Sequence, residues 1–339
     1  MTTFTLYIAS CTPEGGIFRY RFSGDASGFT AELQDVSPCP ACGWLSISGD
    51  EMIAVSRSLS ADCPESALSV RSIAPDGALG TPGIYQSTLG RSGCHAAKAG
   101  DAYYAVNYMT GNIVKLPEGR SVQHTGRGLD PLRQEGPHTH CVLPCPDKKT
   151  LAVTDLGLDT VSLYDLDLNL LDELRLPAGT GPRHLCFAPE GDILYCIGEL
   201  DSVVHLLHYT PGRLSYLKSV PAWDEALPEA DGGAIRCDER FVYVANRRHS
   251  RIALLERSVD GLRFSREIPC GGDNPRDFAI FENFGFSCNI GSNTVTVFYA
   301  ADGTLAPLGG FSIPAPYCAA FRAMPEDGKT AEKSAPEKC

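Results

Sequence analysis

Two arginines, two carboxylates and a histidine occupy positions that small or turn-forming residues hold elsewhere in the chain. Two columns can be followed along the sequence. The first runs Gly43, Cys94, His140, Arg183, Gly233, Arg276, Tyr317, and the second Ser10, Ser56, Asn107, Asp155, Glu199, Asn246, Asn289. Most members of the second column are Ser or Asn, which suit turns by bonding their own backbone; Asp155 and Glu199 bring carboxylates instead. Arg57 and Arg247 follow that column directly. An arginine fork holds a carboxylate or phosphate through two parallel hydrogen bonds. A neighbouring carboxylate or imidazole, tuned by burial, can move protons. Such a set suits chemistry on a small anionic molecule.

Each residue also has a plainer reading. Arg183 and Arg276 could pair with acidic neighbours, Glu199 could serve Arg183, and Asp155, in Thr-Asp-Leu-Gly, has the context of a turn carboxylate. His138 and His140 share a strand face, yet no third ligand is marked, so no metal is expected. His205 and His208 lie on an alternating strand and read as outer residues. The single CxxC, Cys39-Pro40-Ala41-Cys42, has no partner motif at zinc-ribbon spacing, and the fourteen cysteines are scattered as reduced thiols would be.

The columns belong to a repeat. Its clearest copies are residues 137–167, 181–209 and 274–303, and second-column members recur at intervals of 43–51 residues. Each copy has a Pro/Gly opening, a short apolar run, a turn, a β-branched or aromatic run, a second turn and an alternating run. Strand-like segments such as Ile193–Ile197 and Thr294–Tyr299 dominate. Long helical periodicity is absent, apart from a possible short turn near Trp223–Leu227. A period in the forties with three or four short strands predicts β-propeller blades. Residues 315–321 look like an opening strand that stops, and Leu6–Ser10 like the strand that should follow it. Joined, they predict an all-β ring of seven blades closed by the two termini. In such a blade both columns lie at one rim and converge on the mouth of the central channel. One domain is expected over 1–322, with a polar, disordered tail over 323–339.

The 339-residue chain carries a formal net charge of −12, which disfavours nucleic acid and anionic lipid as partners. It has no apolar run long enough for a membrane span and no secretory leader at its first residues. A cytoplasmic, monomeric protein is the expectation.

Several strings together resemble the seven-bladed propeller lactonases, a family that includes cycloisomerase-type 6-phosphogluconolactonases and 3-carboxy-cis,cis-muconate lactonising enzymes. They are Gln134-Glu135-Gly136-Pro137-His138-Thr139-His140, Asp155-Leu156-Gly157 with Asp159, Gly181-Pro182-Arg183-His184, Gly198-Glu199-Leu200, Asn246-Arg247-Arg248-His249 and Asn274-Pro275-Arg276-Asp277-Phe278. The similarity is densest between Arg133 and Phe298. The early blades depart from the pattern at Cys42-Gly43-Trp44 and Cys63-Pro64-Glu65-Ser66.

The resemblance implies a cofactor-free site in which His140, Arg183, Glu199 and Arg247 are catalytic. Arg133, His138, Asp155, His184, His249 and Arg276 would contact substrate. It implies hydrolysis of a sugar-acid lactone such as 6-phospho-D-glucono-1,5-lactone, with Glu199 or His140 as the base. Lactonisation of a muconate-like dicarboxylate would need the same cations. A non-catalytic propeller scaffold would instead present an apolar top face.

Overall fold

β-Branched and aromatic runs such as Ile193–Gly198 are buried along almost their whole length, while outer runs such as Leu170–Arg175 alternate between exposed and half-buried residues. This gradient is what strands at increasing distance from a central axis require. The computed structural model describes residues 1–324 except 61, 225–230, 260 and 302. They form seven four-stranded antiparallel sheets, with no helix among the described residues. Numbered along the chain, blades 1 to 6 span residues 42–91, 93–123, 139–175, 182–221, 232–269 and 275–312. Blade 7 combines Pro316–Ala323 with three strands from residues 2–38.

The first strands of successive blades touch in a closed cycle, from Cys42–Ser48 round to Pro316–Ala323 and back. The ring is sealed by pairing of Thr2–Ser10 with Pro316–Ala323, Leu6 opposite Phe321 and Ile8 opposite Ala319. Phe4, Phe22, Phe284 and Phe286 pack across the seam between blades 6 and 7; Phe4 stacks on Phe22 at 4.7 Å and meets Phe281 edge-on at 4.9 Å. Aromatic pairs of this kind add about 0.5–1.5 kcal/mol each beyond area burial, at the one blade whose strands come from opposite ends of the chain. The seven blades and their terminal closure match the sequence expectation. The closing strand runs to Ala323, one residue past the expected boundary. The expected tail from 325 onward, and most of the expected turn near 223–227, lie outside the described residues.

Every innermost strand begins with a ladder irregularity, and it falls on the first column each time. In blade 3, Thr139 pairs with Asp155 and Cys141 with Thr154, leaving His140 as the extra residue. The same skip isolates Gly43, Cys94, Arg183, Arg276 and Tyr317. In blade 5 it spans Gly233 and Ala234. A bulge leaves one residue out of the pairing and re-aims its side chain. The approach is tight: two residues before the bulge, Ala41, Ser92, Gly181, Asn274 and Ala315 all take positive φ. The five first-column residues that carry side chains, Cys94, His140, Arg183, Arg276 and Tyr317, are thereby turned toward the axis at one rim.

Candidate functional site

Gly43, Cys94, His140, Arg183, Arg276 and Tyr317, all from the first column, line one void of about 10 Å³ together with Trp44, His184 and Asp277. That is room for about one water. The channel is thus nearly plugged at this depth, and the space above becomes a bowl with a floor.

The register corrects one alignment made from spacing. Gly198, not Glu199, stands opposite the residue before its bulge, Pro182, as Asp155 stands opposite Thr139 and Asn246 opposite Gly232. Glu199 is therefore equivalent to Arg57 and Arg247: the backbone N–H groups of all three donate to residues leading into the first strand, Gly181, Ala41 and Asp231. A one-residue step reverses the direction of a strand side chain. Column members such as Asn107, Asp155 and Asn246 turn into the blade, fully buried, while the following residues of blades 1, 4 and 5, Arg57, Glu199 and Arg247, supply charged groups to the bowl.

Glu199 is the hub. Its Oε2 accepts from Arg183 Nε at 3.0 Å and lies 3.1 Å from an Arg247 guanidinium nitrogen, while Oε1 is held by Arg133. Arg183 and Glu199 are 1% and 4% exposed. Burial alone would favour the neutral acid, but Arg247 and Arg183 outweigh it and hold the carboxyl far below its usual range. Burial, with repulsion from Arg276 and Arg247, draws Arg183 down to about 9, still cationic at neutral pH. Arg247 is also paired with Asp231. Arg133 reaches the hub from the connection between blades 2 and 3. That loop is anchored by buried Gln134, which donates to Leu156 O at 2.9 Å and Asp159 Oδ1 at 2.7 Å and accepts from the Leu129 and Asp130 amides.

The histidines form the floor and one wall. His184 Nε2 accepts from Arg183 Nη1 at 3.2 Å, so its proton resides on Nδ1. Its ring meets His140 edge-on at 5.4 Å and His95 at 5.8 Å, and His95 stacks on Trp44 at 3.9 Å. Burial first, and the Arg183 charge second, hold His140 and His184 well below the ordinary imidazole range. Burial, with Arg236 and Arg183, takes His95 down to about 3. All three are neutral, and the Nδ1 of each lacks a hydrogen-bond partner among the described residues. His138 stacks on Tyr108 at 4.4 Å and bonds its carbonyl through Nδ1 at 2.8 Å.

Asp155 faces away from the bowl. It accepts from the His138 and Gly157 amides at 2.8 and 3.0 Å and from His124 Nδ1 at 2.8 Å, with His124 in turn bonded to Tyr164. It organises the turn that carries His138, so the expected substrate contact is replaced by a positioning one. Gly157 is essential to that turn: a Cβ there would lie 1.8 Å from the Gly136 carbonyl oxygen. Gly157→Ala is expected to destabilise the protein by about 1–3 kcal/mol and to lower turnover by displacing the Arg133 loop. Urea melts read beside activity at saturating substrate check this, and an unshifted melt would show that the turn yields freely.

His249 stays at the blade 5 rim, edge-on to Trp223 at 6.2 Å. Arg276 does not reach Glu199; its guanidinium lies over the Tyr317 ring at 4.6 Å, and Arg57 lies 5.5 Å from the same ring. Trp44, His95, Tyr108, Asp231 and Tyr317 are absent from the residues singled out by sequence as the site, and Arg57 was noted beside the second column without a catalytic or substrate-contact role. Tyr317 and Arg57 sat in or beside the two columns, so their positions were visible although their roles were not. Trp44 and His95 directly follow first-column members, and Tyr108 directly follows Asn107; nothing in the sequence marks Asp231.

A family model described as lactonase, seven-bladed β-propeller, matches residues 5–321. The 6-phosphogluconolactonase of Bacillus subtilis is 34% identical over 266 residues, covering 70% of this chain and 75% of its own. An uncharacterized protein of Staphylococcus saprophyticus is 28% identical over 306 residues, covering 84% and 87%. The periplasmic gluconolactonase of Pseudomonas aeruginosa superposes with a TM-score of 0.85 over 96% of this chain and all of its own, at 23% identity, a likeness of fold. A model match spanning nearly the whole ring, on blades whose bulges gather the motif residues at one mouth, places the chain in the seven-bladed β-propeller lactonase family.

Proposed function

We propose that this protein hydrolyses a sugar-acid lactone, 6-phospho-D-glucono-1,5-lactone, to the open acid. The observation that carries the reading is the convergence of Arg133, Arg183 and Arg247 on buried Glu199, beside a neutral His140 whose Nδ1 has no partner. The name of the Bacillus subtilis relative supports the choice of substrate.

Ester hydrolysis needs a base for water and donors for the oxygen that gains charge. A carboxylate held ionised by three guanidiniums is a weak base, so Glu199 serves to aim the arginines. His140 is the base in this reading. It takes a proton from water as the water oxygen bonds to the lactone carbonyl carbon, and Arg183 and Arg247 stabilise the resulting oxyanion. The bond from that carbon to the ring oxygen then breaks, and His140 returns the proton to the leaving alkoxide. An anionic substrate would also screen the Arg183 and Arg276 charges that depress His140, raising its basicity once substrate is seated.

A coupled assay for 6-phosphogluconate release, corrected for spontaneous ring opening, tests the reading beside an absorbance assay on a muconate. Release well above the spontaneous rate is expected. Muconate turnover without lactone hydrolysis, or silence in both assays, would overturn it.

A further inference from the structure

The bowl has a second cationic pole, and no carboxylate among the described residues neutralises it. Arg57 and Arg276 both lie against Tyr317, at 5.5 and 4.6 Å from the ring centroid. Arg91 stands nearby on the rim, lining the same cleft as Arg57. Among the described residues none of these three arginines has a carboxylate within 4.0 Å. Arg276 Nε is buried without a hydrogen-bond partner among the described residues. The contrast with the first pole is direct: there Glu199 and Asp231 already balance most of the charge of Arg133, Arg183 and Arg247.

The two poles are built alike. Where the first column is glycine, the arginine after the neighbouring strand crosses the space a side chain would fill. A Cβ on Gly43 would lie 2.4 Å from Arg57 Cγ, and one on Gly233 would lie 3.3 Å from Arg247 Cγ. Arg57 is thus the counterpart of Arg247 on the far side of the axis. It also lines a cleft of about 480 Å³ on the same rim, with Cys11, Ser58, Arg91, Ser92 and Met109 among its walls. That volume accommodates a small ligand. Tyr317 connects the two regions, since it lines the void beneath Arg183 as well.

We propose that Arg57 and Arg276, braced on Tyr317, form a phosphate subsite that selects lactones carrying a phosphomonoester remote from the reacting carbonyl. The proposal rests on the lactone-hydrolysis reading and adds the part of the substrate that reading leaves unheld. A phosphomonoester offers three acceptor oxygens and close to two negative charges, matching two guanidinium forks. Because the forks are already packed on a ring, little freedom is lost on binding.

The test compares 6-phosphogluconolactone with unphosphorylated glucono-1,5-lactone in wild type, Arg57→Ala, Arg57→Lys and Gly43→Ala. Wild type is expected to prefer the phosphorylated lactone in kcat/KM. Arg57→Ala should cut kcat/KM for that substrate about 10- to 100-fold and shrink the preference by the same factor. Lysine, which keeps charge without the fork, should recover part of it, and Gly43→Ala, which displaces the arginine stem, should mimic the loss. Calorimetry with 6-phosphogluconate and gluconate gives a readout independent of turnover. If neither lactone is hydrolysed but the phosphorylated acid binds more tightly in an Arg57-dependent way, the subsite stands and the hydrolysis reading falls. Equal losses on both lactones, no wild-type preference between them, or no difference in binding between the two acids would overturn the subsite.

Discussion

Arg183→Ala is expected to lower kcat for the lactone by about 10²–10³-fold, the effect of removing one oxyanion donor. Arg183 is the most deeply buried cation in the bowl, bonded to Glu199 through Nε and to His184 through Nη1. Its removal leaves Glu199 with Arg133 and Arg247, so the carboxylate is not stranded as an unpaired buried charge and the ring should still fold. Arg183→Lys is expected to restore only a small part of the rate, because an ammonium cannot contact Glu199, His184 and substrate as a planar fork does. Steady-state kinetics on folded protein, confirmed by an unfolding curve, decide the matter. Turnover within a few-fold of wild type would remove Arg183 from the reaction and leave it a structural counterion.

Acid should begin to destabilise this propeller near pH 6.5, well above the range in which carboxylates titrate. His95, His140 and His184 are buried and neutral, with folded-state pKa values far below the ordinary 6.5. Below pH 6.5 the unfolded chain binds protons that the folded chain refuses, so stability falls as pH falls. His95, drawn down to about 3, contributes up to about 1.4 kcal/mol per pH unit in that window, roughly 2 kcal/mol between pH 6.5 and 5, and His140 and His184 act in the same direction. Typical domains hold only about 5–15 kcal/mol in total, so the contribution of His95 alone is measurable. Glu199, whose folded pKa is also depressed, adds to the decline only below about pH 4.5, where its unfolded form protonates. Urea midpoints at pH 7.5, 6.5, 5.5 and 5.0 test this, and His95→Gln should make the decline shallower. A midpoint constant down to pH 5 would show that these rings titrate in the folded state.

How much of the site could be read in advance depends on the kind of signal each residue leaves. His140, Arg183 and Arg276 were visible because they replace small residues at a repeating position, and the structure shows why that position matters: it is the bulged residue of each inner strand. Composition does not mark a bulge. The column could be aligned and its convergence on the channel mouth expected, but that its members leave the ladder could not be known. Glu199 shows the limit in another way. Spacing aligned it with Asp155, and only hydrogen-bond register moved it one residue, into the bowl and beside Arg247. Asp155 shows the converse, a carboxylate in a family motif whose oxygens are taken by amides and His124.

The amino-acid order alone determined the ring: the repeat period, the alternation of apolar residues and the incomplete first and last units specify seven blades closed by the termini, because these are local patterns that each blade satisfies on its own. It also determined which residue types reach the mouth. Tertiary structure decided which of them meet. Arg133 lies 66 residues from Glu199 along the chain, and the division of the bowl into a pole neutralised by Glu199 and a pole braced on Tyr317 follows from the placement of side chains across the axis. Such contacts depend on distances between blades, which no single repeat encodes.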